Sequence, residues 1–414
     1  TAETWPGAPA PNPLLPVRWQ RERGVPRSSA ARELEFAQRL TAQLSHAAPD
    51  VVFSFASRLD EHVRAASPLV AGLPRIGVAC APLAAERLFL EHVPLERVED
   101  RLAPAVPAGS RVSGGAGLIE TQSGCAFRAV ARHRLRAEEW PATTLGIGPR
   151  ERGMLVHAAL AAFWNEVRDQ AALLALSEDA LDRCIAEAIE RSRTSLDAVH
   201  WNAIPAPVAK TEAACLQQAL RAWLAIERER APFTVVETET QSTLAIAGFT
   251  LDVRLDRIDA LATGGVAIID YKSGQAPAAA KWFDERPQGI QLAVYARAHA
   301  QREAGPPVGA LVYGRLRRGE VGAVGLAEDE ASWPGVTTPA QLKGDGAPVR
   351  GWDAAMHALD SRVASLAAAI AAGEASVAPR DRAVCRTCHL QALCRIGAMP
   401  VDDDEARFEA GDDA

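Results

Sequence analysis

The segment Leu251 to Gly274, LDVRLDRIDALATGGVAIIDYKSG, concentrates the residues most able to do chemistry. Two strand-like runs flank Ala262-Thr263-Gly264-Gly265, which reads as the turn of an antiparallel hairpin. A turn centred near Thr263 sets Asp256 opposite Asp270, where Cβ atoms lie roughly 5 Å apart and two like charges repel unless something neutralises them. A divalent cation does that. Lys272 falls two residues past Asp270, on the same face of its strand, so its ammonium can polarise a water or steady charge developing on a phosphorane. Two carboxylates and a lysine on one pleated face outline a metal-dependent phosphodiesterase site. Charged strand residues more often form surface ion pairs. Against that, Ala267, Ile268 and Ile269 read as a buried strand leading straight into Asp270, and acids emerging from a buried strand carry functional weight.

A second group is Cys385, Cys388 and Cys394, spaced C-x2-C-x5-C near the end of the chain. The chain has seven cysteines, an odd number, and no secretory signal, which disfavours a disulfide framework. Three thiolates do not complete a four-coordinate site. Zinc could recruit His389 or a distant residue, whereas an iron-sulfur cluster needs a fourth cysteine, and the spacing alone leaves both open. Cys80, Cys184 and Cys215 read as ordinary buried cysteines.

The elements around these groups suggest how they are held. A nearly all-apolar helix from Gly153 to Val167 has to be buried. More helix follows to about Arg230, then strands over 234–241, 249–260 and 265–271, a helix over 287–303, a strand over 308–315 and a last helix over 352–372. Residues 319–349, with their Gly and Pro, read as irregular surface. Residues 101–118 hold four Gly, two Pro and two Ser and read as a connector. Ahead of it, residues 1–100 suggest a partial α/β segment: a helix near 30–46, a strand over 49–56 and a helix-like stretch to Leu69. The domain after the connector runs from 119 to 400, and residues 401–414 form an acidic tail. The expected fold class is α/β, a mixed sheet flanked by helices with further helical additions.

With 414 residues the chain is long enough for two or three domains. Net charge is −7, but the tail alone carries seven acids against one base, so the rest is close to neutral. A nucleic-acid partner is therefore not excluded by charge. Arginine abundance is no argument for one either, since four Lys accompany 41 Arg and base-composition bias accounts for such a ratio. No apolar run reaches the ~18 residues of a membrane span, and a cytoplasmic location is expected. There is no GxxxxGK[ST] loop to cradle ATP phosphates. The chain opens at Thr1 without an initiating Met, which suggests the C-terminal part of something longer.

Four ordered motifs then bring a family into view: Gly153-Met154-Leu155-Val156-His157, Leu255-Asp256-Arg257-Ile258-Asp259, Asp270-Tyr271-Lys272 and Gln291-Leu292-Ala293-Val294-Tyr295. In this order they resemble the RecB-like nuclease domains of the PD-(D/E)XK superfamily, specifically those of AddB-type helicase-nucleases. The resemblance implies that the core is restriction-endonuclease-like and that Asp256 and Asp270 ligate Mg²⁺ or Mn²⁺, with His157 reaching the metal or substrate. It further implies that Lys272 positions the attacking water and that Gln291 and Tyr295 line the DNA path. An upstream acid also belongs to such sites; Glu239 fits best and Glu237 is its rival, because alternation puts both on one face. AddB-type nucleases carry a 4Fe-4S cluster whose first cysteine precedes the core. Ser123-Gly124-Cys125-Ala126-Phe127-Arg128 occupies that place, with Ala126 where the usual residue is Pro, and implies a ligand set of Cys125, Cys385, Cys388 and Cys394. Residues 1–100 would then end a helicase-like portion, and the activity would be a metal-dependent deoxyribonuclease, an exonuclease acting on single-stranded or unwound DNA in break repair. The competing reading is a catalytically silent DNA-end-binding or scaffolding subunit that keeps the fold and the cluster. The intact acid-acid-lysine set argues against it.

Overall fold

The structure, a computed structural model, describes residues 1–59, 61–76, 100–140, 146–196, 204–302, 305–317, 319–329, 333–342 and 351–398. The acidic tail and Cys80 lie outside the described residues. The chain divides into two compact units, Thr1–Arg97 and Val98–Ala414.

Among its described residues the first unit holds two helices, α1 (Val17–Glu22) and α2 (Ala30–Ser45), and a minimal antiparallel hairpin of β1 (Arg58–Leu59) and β2 (His62–Val63). Helix α2 starts where Ser29 accepts a hydrogen bond from the Arg32 amide, the usual way a serine hydroxyl caps the free amides of a first turn. The apolar run over residues 51–56 forms no strand, and the stretch up to Leu69 no helix. Periodicity alone could not foresee this, because a strand also needs a partner edge, and none is available to this run among the described residues.

The second unit is built on a six-stranded mixed sheet. Its strands are β3 (Arg111–Val112), β4 (Phe233–Ile246), β5 (Phe249–Leu261), β6 (Val266–Lys272), β7 (Val308–Arg317) and β8 (Glu320–Ala327). β5 pairs antiparallel with β4 along one edge; along the other it pairs with β6 and, near its start, parallel with β3. β7 runs parallel to β6, and β8 antiparallel to β7. Arg257 faces Ile269 in the β5–β6 hairpin, the register read from a turn near Thr263. Strand β8 falls within the stretch read as irregular. Its glycines serve close approach: a Cβ on Gly325 would stand 2.2 Å from the Leu311 carbonyl oxygen across the ladder. Residues 101–118 are also tied into this unit, through β3 and through the Ala103 amide donating to the Gly373 carbonyl.

Helices cover both faces of the sheet. On one lie α3 (Gly115–Gly124), α9 (Gln291–Ala300) and α10 (Trp352–Ala371), packed on Leu251, Val253, Ile268 and Leu311. On the other lie α5 (Pro149–Val167), α7 (Glu178–Ser192) and α8 (Ala206–Glu229), packed on Ala267, Ile269, Tyr271 and Val312. Strand β6 is thus buried on both faces and is nearly continuous in apolar residues, as a central strand has to be. The short α6 (Gln170–Ala175) joins α5 to α7. Helix α4 (Ala126–Ala129) runs on into a wide turn over Val130–Arg134; α11 (Arg382–Arg386) and α12 (Gln391–Cys394) end the described chain.

Candidate active site

The site gathers at the carboxyl end of β6, where the buried apolar run gives way to Asp270 and Lys272. Asp270 is 1% exposed, and its Oδ2 lies 2.7 Å from Lys272 Nζ. Lys272 in turn donates to Gln291 Oε1 at 2.6 Å, and the Gln291 amide donates to the Tyr295 hydroxyl. The i, i+4 spacing of Gln291 and Tyr295 at the start of α9 puts both on the helix edge that faces the strand. Across the hairpin, Asp256 Oδ2 accepts the Tyr271 backbone amide at 2.8 Å.

The other wall comes from α5 and β4. His157 Nδ1 lies 3.1 Å from Asp256 Oδ2 and 3.8 Å from Glu239 Oε1. Gly153, one turn earlier on α5, has a mechanical reason to be glycine: a Cβ there would press to 3.3 Å from Ser273 Oγ, holding the helix away from the strand end. Glu239 takes a left-handed backbone conformation, φ +50°, which costs on the order of 1–2 kcal/mol for a residue with a side chain. Together with a register shift between Val235 and Glu237, it breaks the alternation that would have kept the two glutamates equivalent. Glu239 turns to His157 and, at 3.0 Å, to Arg254, while Glu237 pairs with Arg302 at 2.8 Å.

The electrostatics of the site are those of charges crowded together away from water. Burial, then the Asp256 carboxylate, push the Asp270 carboxyl up to about 6, against the opposing pull of Lys272. Burial and Asp256 likewise raise Glu239. Burial lowers His157, but Asp256, Asp270 and Glu239 overcome it and carry the imidazole up to about 9. Carboxylates crowded away from water shift in this way. His157 Nδ1 and Asp270 Oδ2 are both enclosed, each against one charged neighbour, Asp256 and Lys272 respectively. Ligand atoms of His157, Glu239 and Asp256 lie within 4.8 Å of one another, the one such group among the described residues. Carboxylate oxygens with one imidazole suit a hard divalent cation. Asp270, expected as a ligand, lies outside this close trio, and its Oδ2 is against Lys272.

Behind the site, on the opposite face of β5, sits a group that the sequence reading missed. Arg257 donates from Nε and Nη2 to Asp259 at 2.6 and 2.7 Å, and from Nη1 to Glu227 at 2.7 Å and to the Tyr271 hydroxyl at 3.0 Å. Arg230 joins Glu227 and Asp259 at 2.9 and 2.7 Å. All four charged side chains are fully enclosed, and the guanidinium of Arg257 lies over Trp164 while that of Arg230 lies over Trp333. Arg257 and Asp259 belong to the same short motif as Asp256, but their work is structural. They hold Tyr271, and hence the backbone between Asp270 and Lys272.

Cys125 stands at the break between α3 and α4, where the Phe127 amide donates to the Ser376 carbonyl and the Gly124 carbonyl accepts from the Arg380 amide. Burial raises the Cys385 thiol, and Cys125, Cys388 and Cys394 each raise it further, but among the described residues the cysteine sulfurs do not form a close ligand group like that of His157, Glu239 and Asp256. Cys184 and Cys215 are partly buried in other elements.

No curated protein matches the chain. Among solved structures, that of a proposed exonuclease from Eubacterium rectale is similar at 10% identity and a TM-score of 0.33, covering 73% of this chain and 93% of its own. The structure of SSO0001 is similar at 11% identity and a TM-score of 0.24, covering 67% and 93%. The PD-(D/E)XK nuclease superfamily matches over residues 116–395, from the first turn of α3 through the last cysteine, and to that superfamily this chain belongs.

Proposed function

We propose that the chain is a Mg²⁺- or Mn²⁺-dependent deoxyribonuclease that hydrolyses phosphodiesters in single-stranded or unwound DNA, as an exonuclease. The observation that carries this reading is the set Asp256, Asp270 and Lys272 at the end of β6, with His157 and Glu239 closing the far side. A divalent cation held by Asp256 and Asp270, with Glu239 and His157 in reach, would polarise the scissile phosphate and lower the pKa of a bound water. The chain's own residues supply the rest. Lys272, tethered by Gln291, orients the attacking water and offers positive charge to the oxygens of the transition state. Tyr295 fixes Gln291, and the Tyr271 amide fixes Asp256.

The soft donor set of Cys125, Cys385, Cys388 and Cys394 suits a 4Fe-4S cluster with a structural role, joining the start of the nuclease unit to its end. We further propose that the nuclease works beside a helicase portion or subunit of AddB type in double-strand break repair, in the cytoplasm. No described helix is long and apolar enough to cross a membrane.

The test is cleavage of labelled single- and double-stranded DNA by anaerobically purified protein with Mg²⁺, Mn²⁺ or EDTA, beside Asp270→Asn. Metal-dependent cleavage lost in the variant supports the reading. DNA binding and brown colour without cleavage by the parent protein would favour the silent scaffold.

A further inference from the structure

Two adjoining grooves run along the outer edge of α3 and α4. One, about 700 Å³, is lined by Gly114, Gly117, His133, Arg136 and Gln291; the other, about 420 Å³, by Gly124, Arg128, Arg380, Asp381 and Thr387. Glu120, Thr121 and Arg132 line both, so the two form one trough. It begins at Gln291, the residue that holds Lys272, and ends beside the segment that carries Cys385 and Cys388.

Several arginines elsewhere in the nuclease unit are spent on carboxylates: Arg152 on Glu212, Arg191 on Glu166, Arg221 on Glu178 and Asp182, Arg297 on Asp360. In the trough the acids are the ones already used. Glu120 accepts the Gly289 and Ile290 amides at the start of α9, and Asp381 accepts the Val384 amide and pairs with Arg380. Glu138 is the remaining carboxylate, on the rim near Arg136. Arg128, Arg132 and Arg136 make no ion pair among the described residues, and Arg128 Nε is buried without a hydrogen bond. The local positive field is felt by His133, whose pKa is lowered by burial, Arg132 and Arg128. Arg128 lies in α4, Arg132 in the wide turn that follows and Arg136, at φ +56°, just beyond it, so the three succeed one another along the trough. Such a row of unspent cations in a trough leading to a hydrolytic site matches a chain of phosphates.

Resting on the nuclease reading, we infer that this trough binds the sugar-phosphate backbone of the substrate strand, with Arg128, Arg132 and Arg136 as its phosphate contacts, and leads the strand between the catalytic lysine and the cysteine segment. The three arginines are positioning residues; none touches the reacting atoms.

The experiment measures binding of a labelled 20-nucleotide oligo(dT) by anisotropy across a salt series in EDTA, for the full-length protein and for R132A/R136A, R132K/R136K and R221A. Each phosphate contact on a single strand contributes about 0.7 to the slope of log affinity against log salt. The alanine pair is expected to flatten that slope by about 1.4 and to weaken low-salt binding at least ~10-fold, whereas the lysine pair and R221A keep the parental slope. Under Mg²⁺ its loss falls on KM. Parental slope and affinity in the folded alanine pair would overturn the assignment. So would equal competition by polyglutamate at matched charge with the slope unmoved, which would give the trough to an acidic protein segment. Failure of the parent protein to cleave, with the slope still flattened, would refute the nuclease reading and leave the strand path standing.

Discussion

The enclosed cluster behind the active site yields the most demanding prediction. Replacing Arg257 with Met preserves length and roughly the volume, so the perturbation is chiefly electrical. It removes four hydrogen bonds of 2.6–3.0 Å to Asp259, Glu227 and Tyr271. It also leaves two carboxylates with one guanidinium, Arg230, where the native cluster balanced two against two. All these side chains are out of reach of water, so the stranded charge cannot be rehydrated without opening the core. Breaking a buried pair in this way costs about 3–5 kcal/mol, a large share of the ~5–15 kcal/mol that holds a typical domain together. At about 2–4 °C per kcal/mol for a unit of this size, the melting midpoint should fall by roughly 6–20 °C. The assay is denaturant unfolding followed by tryptophan fluorescence, which reads the cluster directly because Trp164 and Trp333 lie against its two arginines. Replacing all four members with apolar residues of similar volume should recover most of the loss, since the isolated charge and not the missing pair is what costs. A loss under about 1 kcal/mol for Arg257→Met, in a protein that unfolds in one step, would refute this account of the cluster.

Other outcomes follow from the same geometry. Because the folded-state carboxyl of Asp270 titrates near 6, above its ordinary value of 3.8, its ionisation opposes folding, absent below about 3.8 and complete above about 6. Asp270→Asn should therefore melt above the parent at pH 7.5 in EDTA, with the gap closing toward pH 4; a lower melting point at pH 7.5 would contradict it. Glu239→Gln should cut Mg²⁺-dependent cleavage at least ~10-fold while Glu237→Gln leaves it within twofold, and the reverse order would return the upstream acid to Glu237. Cys385→Ser should lose the brown colour and on the order of 4 kcal/mol of stability, as opening so long a cross-linked loop does; unchanged visible absorption and melting would remove the cluster. Gly325→Ala should destabilise by about 1–3 kcal/mol through its clash with the Leu311 carbonyl, read by the same unfolding curves.

The parts of the fold that were legible in the sequence are those in which local pattern and long-range packing agree. The β5–β6 hairpin declares itself by a glycine turn between two apolar runs, and its register follows from the turn; hence the pairing of Arg257 with Ile269 that brings Asp256 to Asp270. Strand β8 was hidden because its small residues Gly322, Ala323 and Gly325 read as loop, although at Gly325 the close approach of Leu311 is what requires glycine. The opposite failure occurs at residues 51–56, where apolar residues alternate as in a strand but no neighbouring edge takes them up. Glu239 could be named but not separated from Glu237, since the positive φ that parts them is a product of tertiary packing. Glu227 and Arg230 carry no motif at all. They are ordinary charged residues at a helix end until the fold closes over them and sets them against Arg257 and Asp259.

The junction at Cys125 can also be considered in time. Its neighbours Gly124 and Phe127 hydrogen-bond to Arg380 and Ser376, and its companion thiols come from residues 385, 388 and 394. At a synthesis rate of about 5–20 residues per second, Cys125 is made roughly 13–54 seconds before Cys394. Over that interval strands β4 to β8 are made, and the helix break at Cys125 has its sulfur but not yet the last of its backbone partners and companion cysteines. A chain that stops short of Ser376 would carry every strand of the sheet and the acids on them and still lack the backbone partners of α3 and α4 at Cys125.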